Sequence, residues 1–479
     1  MSPSQQENGS CPFPHANHAV PSNPPTPVAR LSASSPIRPK GREWLRILAF
    51  FLIPVLVVAA ANMLLLRSDA HTYYTFLEMT QRDDIELALV GSSVVFSDFN
   101  ANLITEKTGL ETFDISSIQM SLPGALAATR LMYQTNQPKH VVLILEPVNF
   151  FHTTEDIHAQ IRMAPILMEH PLIHLRYVLD LCSQDHKYLD RVLLFKSFPV
   201  RNLDDVRRNL ALRTDPAGVL AASGLTDGLQ VYEGRGFLRY TNTSIGYDAQ
   251  RFTPLRPQLG DSFNGLRTYS MEKLREYKSL CEKNGSELMI VLSPNATAQG
   301  LGRSGFLQKN AALAEFCREE GIPCYDMMLA RREFIPRLDR YFYDWYHLDG
   351  EGADLFSEQF AYFLNLCFAG EPVDHLFYAS VDEYLDSIDF ITNAWLDQSR
   401  EGSGALFTAG CLYGRTIQPE YAFYLVEENN SLKLLQDYSE DHQYRCDAGS
   451  LSGQLLRVYT RPVGSGEALP EIYAQCRID

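Results

Sequence analysis

Residues 85–93 read IELALVGSS, and the reading of this stretch decides the fold. Ile85 to Val90 is a short apolar run closed by Gly91, which predicts a buried β-strand followed by a turn. The same rhythm continues downstream. ANLITEKTGL (101–110) predicts a helix stopped by Gly109, and TFDIS (112–116) predicts a second strand. GALAATRLMYQTN (124–136) has helical periodicity broken by Pro138, and HVVLIL (140–145) is a third strand. The alternation resumes with MEKLREYKSLCEKNG (271–285), ELMIVL (287–292), NAALAEFCREEG (310–321), IPCYDM (322–327) and GADLFSEQFAYFLNLCF (352–368). Strands apolar on both faces, alternating with helices, make an α/β domain with a helix-covered parallel sheet.

Three regions depart from this rhythm. Residues 150–265 contain helical pieces, LIHLRYVLDLC (172–182) and YLDRVLLF (188–195), then YEGRGFLRYTNTSIGY (232–247). They are expected to form an insertion above the sheet: a lid, a substrate platform or a partner surface. From residue 403 to 479, short apolar runs between turn residues predict a small β-sandwich accessory domain. At the other end, Ile47–Leu66 reads ILAFFLIPVLVVAAANMLLL without a charge. About 1.5 Å of rise per residue makes that stretch long enough to cross a bilayer as one transmembrane helix.

The chain carries 42 Lys+Arg against 58 Asp+Glu, a net charge of −16. That balance argues against a nucleic-acid partner, because phosphate binding needs a basic face. Residues 1–46 run the other way: Arg30, Arg38, Lys40, Arg42 and Arg46 outweigh Glu7 and Glu43. Only Arg67 closely follows the apolar stretch. The positive-inside rule then places 1–46 in the cytoplasm as a Pro- and Ser-rich disordered tail, and 67–479 outside. In a bacterium this is a single-pass inner-membrane protein with a periplasmic domain. The nine cysteines show no metal-ligand spacing, so no metal is expected. An exported location permits disulfides, and Cys411, Cys446 and Cys476 are close enough in sequence for a bridge, while Cys281, Cys317 and Cys324 fit buried thiols.

Two short segments carry candidate chemistry. Ser92 and Ser93 follow the first strand, at the carboxyl edge where ligands of open α/β sheets bind. A serine there can expose its hydroxyl beside helix N-terminal amides. By itself the pattern fits a turn or a helix cap equally well. Far downstream, YDWYHLDG (343–350) precedes the closing helix and holds Asp344 three residues before His347. One turn can then set a carboxylate beside an imidazole, which is what a serine nucleophile's base requires. Alone, that pair also fits a surface loop.

Taken together, Gly-x-Ser after the first strand and Asp-x-x-His before the last helix resemble the SGNH (GDSL-type) hydrolase superfamily. The resemblance spans roughly residues 80–370. It is closer to the membrane-anchored branch that includes the D-alanyl-lipoteichoic acid transfer protein and the alginate O-acetyltransferases. It implies a flavodoxin-like parallel sheet and a catalytic triad of Ser93, His347 and Asp344, with Ser92 where many members have Asp. It also implies an oxyanion hole built from the Ser93 amide, a donor after the second strand and an Asn after the third. Gln119 and Asn149 stand nearest those last two positions, though the family's Gly and its Gly-x-Asn-Asp form are both absent. Asn295, in the Ser293-Pro294-Asn295 loop, is a candidate substrate contact where alginate-type relatives carry a Lys. The implied activity is transfer of an acyl group, foremost acetyl, to an extracellular polysaccharide. No cofactor is needed, and a membrane-bound O-acyltransferase partner would supply the acyl group. The alternatives are an esterase or deacetylase on the same chemistry, and a silent polysaccharide-assembly scaffold.

Overall fold

The computed structural model describes residues 41–146, 157–184, 194–196, 198–222, 230–241, 256, 265–303, 305–402 and 404–478. The expected tail before residue 41, Asn149 and most of YLDRVLLF lie outside the described residues. Contact density divides the chain into Met1–Val55 and Leu56–Asp479.

The first helix, α1 (Gly41–Leu65), begins before the apolar run and contains Pro54. Its window Glu43–Leu65 has a mean hydropathy of 2.6 and is the one helix among the described residues long and apolar enough to cross a membrane. Trp44, Leu48, Phe50, Ile53, Val55 and Val57 are exposed, unlike the side chains of a core helix.

Five parallel strands form the central sheet: β1 (Leu87–Gly91), β2 (Thr112–Ser116), β3 (His140–Leu145), β6 (Glu287–Leu292) and β7 (Cys324–Asp326). Their order, β2-β1-β3-β6-β7, is the doubly wound 2-1-3-4-5 order once the two strands inserted between β3 and β6 are set aside. The connection reverses direction between β1 and β3, which opens a crevice at their carboxyl ends. Side chains alternate along each strand. Ala88 and Val90 point into one apolar core with Phe113, Val141 and Ile290. Leu87 and Leu89 point into the other with Val142, Phe356 and Phe360.

A helix unforeseen from the sequence, α2 (Ala70–Thr80), starts where the Asp69 side chain accepts the His71 N–H, and it buries Tyr73, Phe76 and Met79 against the first core. Its runs of Tyr and Thr carry little helical periodicity, so tertiary packing decides it. On the opposite face, Gly350–Ala369 is capped by Asp349, ends at Gly370 in a left-handed conformation, and buries Phe356, Phe360 and Phe363. Phe99 meets Phe356 and Phe360 edge-on at 5.1 and 5.0 Å. Deleting one such ring costs about 3–5 kcal/mol.

The insertion includes helices Ile157–Leu167, Pro171–Gln184, Leu203–Thr214 and Pro216–Ala222. It also contains a hairpin, β4 (Gln230–Gly234) and β5 (Phe237–Tyr240). Arg235 and Gly236 turn it with positive φ angles of 53° and 86°, as a tight primed turn requires. A Cβ at Gly236 would lie 2.1 Å from the Asp114 carbonyl oxygen, so this turn is locked against β2.

After the α/β region, two antiparallel sheets pack across one core. Three strands, β8 (Ile391–Glu401), β9 (Gly404–Tyr413) and β12 (Gln443–Asp447), make one sheet. Four strands, β10 (Pro419–Val426), β11 (Leu432–Ser439), β13 (Leu455–Pro462) and β14 (Tyr473–Arg477), make the other. Phe407 and Cys411 face Phe423, Leu456 and Val458 between them. The first strand starts at Ile391, twelve residues ahead of the expected boundary at 403, because its second half is exposed and reads as a polar loop. The cysteine bridge expected here is not formed: Cys411, Cys446 and Cys476 are in no disulfide, and Cys411 Sγ instead lies 3.4 Å from the Tyr421 hydroxyl.

Candidate functional site

Gly91 closes β1 in tight contact with β3. A Cβ there would sit 2.4 Å from the Ile144 carbonyl oxygen, so only glycine permits this pairing. The chain turns at Ser92 and enters the short helix α3 (Ser93–Asp98). Ser93 therefore stands at the carboxyl end of a central strand, beside the crevice.

The second segment comes from the loop after β7. Asp344 Oδ1 accepts the backbone N–H groups of Tyr346 and His347 at 2.8 and 2.9 Å, which winds residues 344–347 into one turn. Asp344 Oδ2 then lies 2.7 Å from His347 Nδ1. His347 Nε2 lies 2.7 Å from Ser93 Oγ, across 254 residues of chain. Both distances are those of good hydrogen bonds. With the Asp344 carboxylate on Nδ1–H, Nε2 is left as the acceptor facing the serine.

Two more carboxyl groups surround the imidazole, and neither was singled out from the sequence. Asp98, fully buried at the end of α3, accepts the Leu348 N–H on Oδ1 at 2.8 Å. Ser97 Oγ lies 2.6 Å from the same oxygen and 3.1 Å from the Ser93 carbonyl. Burial pushes the Asp98 carboxyl up to about 8, against the pull of His347, Ser97 and the Leu348 amide. Glu146 follows β3, is buried, and accepts the Ser92 hydroxyl on Oε2 at 2.6 Å.

Burial alone would lower the basicity of His347. The hydrogen bond and charge of Asp344, then the charges of Asp98 and Glu146, outweigh it and raise His347 to about 9. For Asp344, burial works upward, but His347 and the two backbone N–H groups hold its carboxyl below the ordinary value.

The inserted hairpin adds a wall. Arg239 grips Asp354 with two hydrogen bonds of 2.9 Å and the Gly350 carbonyl at 2.8 Å. This sets Tyr240 in a stack on Tyr343 at 4.6 Å, with its ring 6.4 Å from that of His347. Burial, then the charge of Asp344, raises the Tyr240 phenol, so it stays protonated.

The expected oxyanion and substrate residues fare differently. Gln119 stands exposed in the turn after β2 with a φ of 57°. That left-handed conformation is the one glycine adopts freely and a glutamine rarely. Asn295 is buried, its side-chain N–H groups directed to the Ser293 carbonyl at 3.1 Å and hydroxyl at 3.4 Å. It lines a cavity of about 70 Å³ with Met328, Asp339 and Phe390. It shares no hydrogen bond with the triad among the described residues.

Comparison with known proteins leaves the site to speak for itself: no protein-family model and no curated protein matches the chain. The signals for Asp98, Glu146 and Tyr240 were thin. Glu146 directly follows a strand on the ligand-binding edge, which marks it as a candidate, but Asp98 and Tyr240 lie in apolar and aromatic runs where nothing local separates them from packing residues.

Proposed function

We propose that this protein is a serine acyltransferase of SGNH type, anchored by α1 and acting outside the cytoplasm on a polysaccharide. One observation carries the reading: Ser93 Oγ, the His347 imidazole and the Asp344 carboxylate are joined by two hydrogen bonds of 2.7 Å. Such a set makes a serine hydroxyl nucleophilic.

In this reading Ser93 Oγ attacks the carbonyl carbon of an acyl donor while His347 Nε2 takes its proton. The Ser93 backbone amide supports the negative oxygen of the tetrahedral intermediate. His347 returns the proton to the leaving group, and an acyl ester remains on Ser93. A sugar hydroxyl then gives its proton to Nε2 and attacks the acyl carbon, and as the Ser93 Oγ–acyl bond breaks His347 returns that proton to Ser93 Oγ. Asp344 holds the imidazole in the required tautomer throughout. A polysaccharide acceptor and a membrane-bound O-acyltransferase partner as donor follow from the sequence resemblance.

The test is labelling by a serine-directed fluorophosphonate, followed by acyl transfer from an acetyl ester with and without carbohydrate acceptors. Labelling of Ser93 together with acceptor-dependent turnover supports a transferase. Turnover indifferent to acceptor means an esterase, and no labelling of intact protein means a scaffold. A periplasm-dependent reporter fused after Asp479 tests the orientation.

A further inference from the structure

Where α1 ends, the chain builds a basic cavity unrelated to the triad. The apolar run stops at Leu66, and Arg67 follows it. Val200 N–H donates to the Leu65 carbonyl at 2.9 Å and Arg67 N–H to the Phe198 carbonyl at 3.1 Å, so the insertion clasps the helix end. Asn209 completes the clasp. Its amide donates to the Leu64 and Leu66 carbonyls at 3.0 and 2.7 Å, and its oxygen accepts the Ser68 N–H at 3.3 Å.

This arrangement brings Arg67, Arg162 and Arg208 to the wall of one cavity of about 180 Å³. Arg162 donates to Asp69 at 3.0 Å, and Asp69 is the only acidic residue in the lining among the described residues. Arg67 lies over the Phe198 ring at 5.3 Å. Neither Arg67 nor Arg208 has an ion pair among the described residues. Three cations against one carboxylate, half-buried around a hollow, leave an uncompensated positive site of the kind that binds phosphate oxygens.

The surroundings select the form of that phosphate. Leu64 and Leu65 are exposed on the helix beside the cavity, and Leu203 and Leu210 are exposed on the Leu203–Thr214 helix that supplies Arg208. Apolar side chains next to a basic hollow, at the end of a membrane-length helix, match the boundary between acyl chains and headgroups. We infer that the Arg67–Arg162–Arg208 cavity binds the phosphodiester of an anionic phospholipid in the leaflet where α1 ends. The bound headgroup fixes the height of the insertion over the membrane.

The experiment uses the full-length protein in neutral detergent, titrated with phosphatidylglycerol, phosphatidylcholine or inorganic phosphate, with bound lipid counted by native mass spectrometry. Phosphatidylglycerol should be retained over phosphatidylcholine, and R67Q/R208Q should weaken its retention roughly 30-fold for the two charges removed. R207Q, whose guanidinium pairs with Asp204 on the outer face, should match the parent protein. Unchanged retention in R67Q/R208Q overturns the proposal. Displacement of phosphatidylglycerol by an equal concentration of inorganic phosphate overturns it too, since the site would then be one for free anions. Should the double variant not fold by circular dichroism, R208Q alone decides, with a loss of roughly fivefold expected.

Discussion

The buried carboxyl of Asp98 accepts the Leu348 N–H at 2.8 Å, and so ties the helix that carries Ser93 to the loop that carries His347. The distance between nucleophile and base thus depends on a third residue that touches neither. Asp98 holds this position while resisting ionisation, and stability and pH dependence follow from that.

Asp98 has a folded-state pKa raised to about 8 by burial. Its stabilising contribution is therefore full below the ordinary range near 4 and lost as pH rises toward about 8. Asp98→Asn keeps an acceptor for Leu348 and cannot ionise. Its unfolding free energy relative to the parent should rise between pH 4 and 8 and then level off, by up to roughly 1.4 kcal/mol per pH unit. Asp98→Ala also strands the Leu348 amide and should be about 1–3 kcal/mol less stable than Asp98→Asn at every pH. A parent–D98N difference that stayed flat with pH would mean that Asp98 is ionised in the fold.

His347 must be neutral to accept the Ser93 proton, and its raised pKa of about 9 puts the neutral form on the alkaline side. Ester turnover should climb with pH to a half-maximum near 9. Glu146→Gln removes one of the raising charges, so the same limb should move toward neutral pH. An unmoved limb in E146Q would remove Glu146 from the electrostatics of the site.

Ser93→Ala and His347→Ala should each lower turnover by at least roughly 10³-fold, and together hardly further, because both serve one proton transfer. Asp344→Asn should keep the fold and lose most of the rate through the wrong tautomer. Ser92→Ala removes only the hydroxyl that Glu146 accepts, so it should leave turnover within roughly tenfold while costing about 1 kcal/mol of stability. An inactive S92A beside an active S93A would shift the nucleophile to Ser92.

Tyr240 reaches the site through the inserted hairpin and contributes its ring face. Tyr240→Phe should therefore retain turnover, and Tyr240→Ala should reduce it by roughly tenfold or more, as loss of a positioning wall does. Equal loss in both variants would point to the hydroxyl instead.

A chain ending at Asp389 removes both C-terminal sheets whole, whereas one ending at Gln398 leaves eight residues of β8 without their β9 partners. The shorter chain should be the more soluble and keep fluorophosphonate labelling, because an unpaired strand edge invites aggregation. Better solubility of the longer chain would place the boundary nearer 403.

The sequence by itself determined the alternation of strands and helices, the apolar stretch before Arg67, and the two short segments that meet at Ser93 and His347. Those are local properties: burial on both faces makes an unbroken apolar run, and an Asp three residues before a His closes a single turn whatever lies around it. Only the tertiary structure decided what surrounds the imidazole. Asp98 and Leu348 are 250 residues apart, and Ser92 and Glu146 are 54 apart. Tyr240 arrives from a hairpin whose primed turn is formed by Arg235 and Gly236 without the usual Asn-Gly signal. Burial is what converts those carboxyl groups from ordinary surface acids into groups that shift a base. The tertiary structure also set the start of β8 at Ile391, where pairing with β9 holds a half-exposed strand that local hydrophobicity reads as loop.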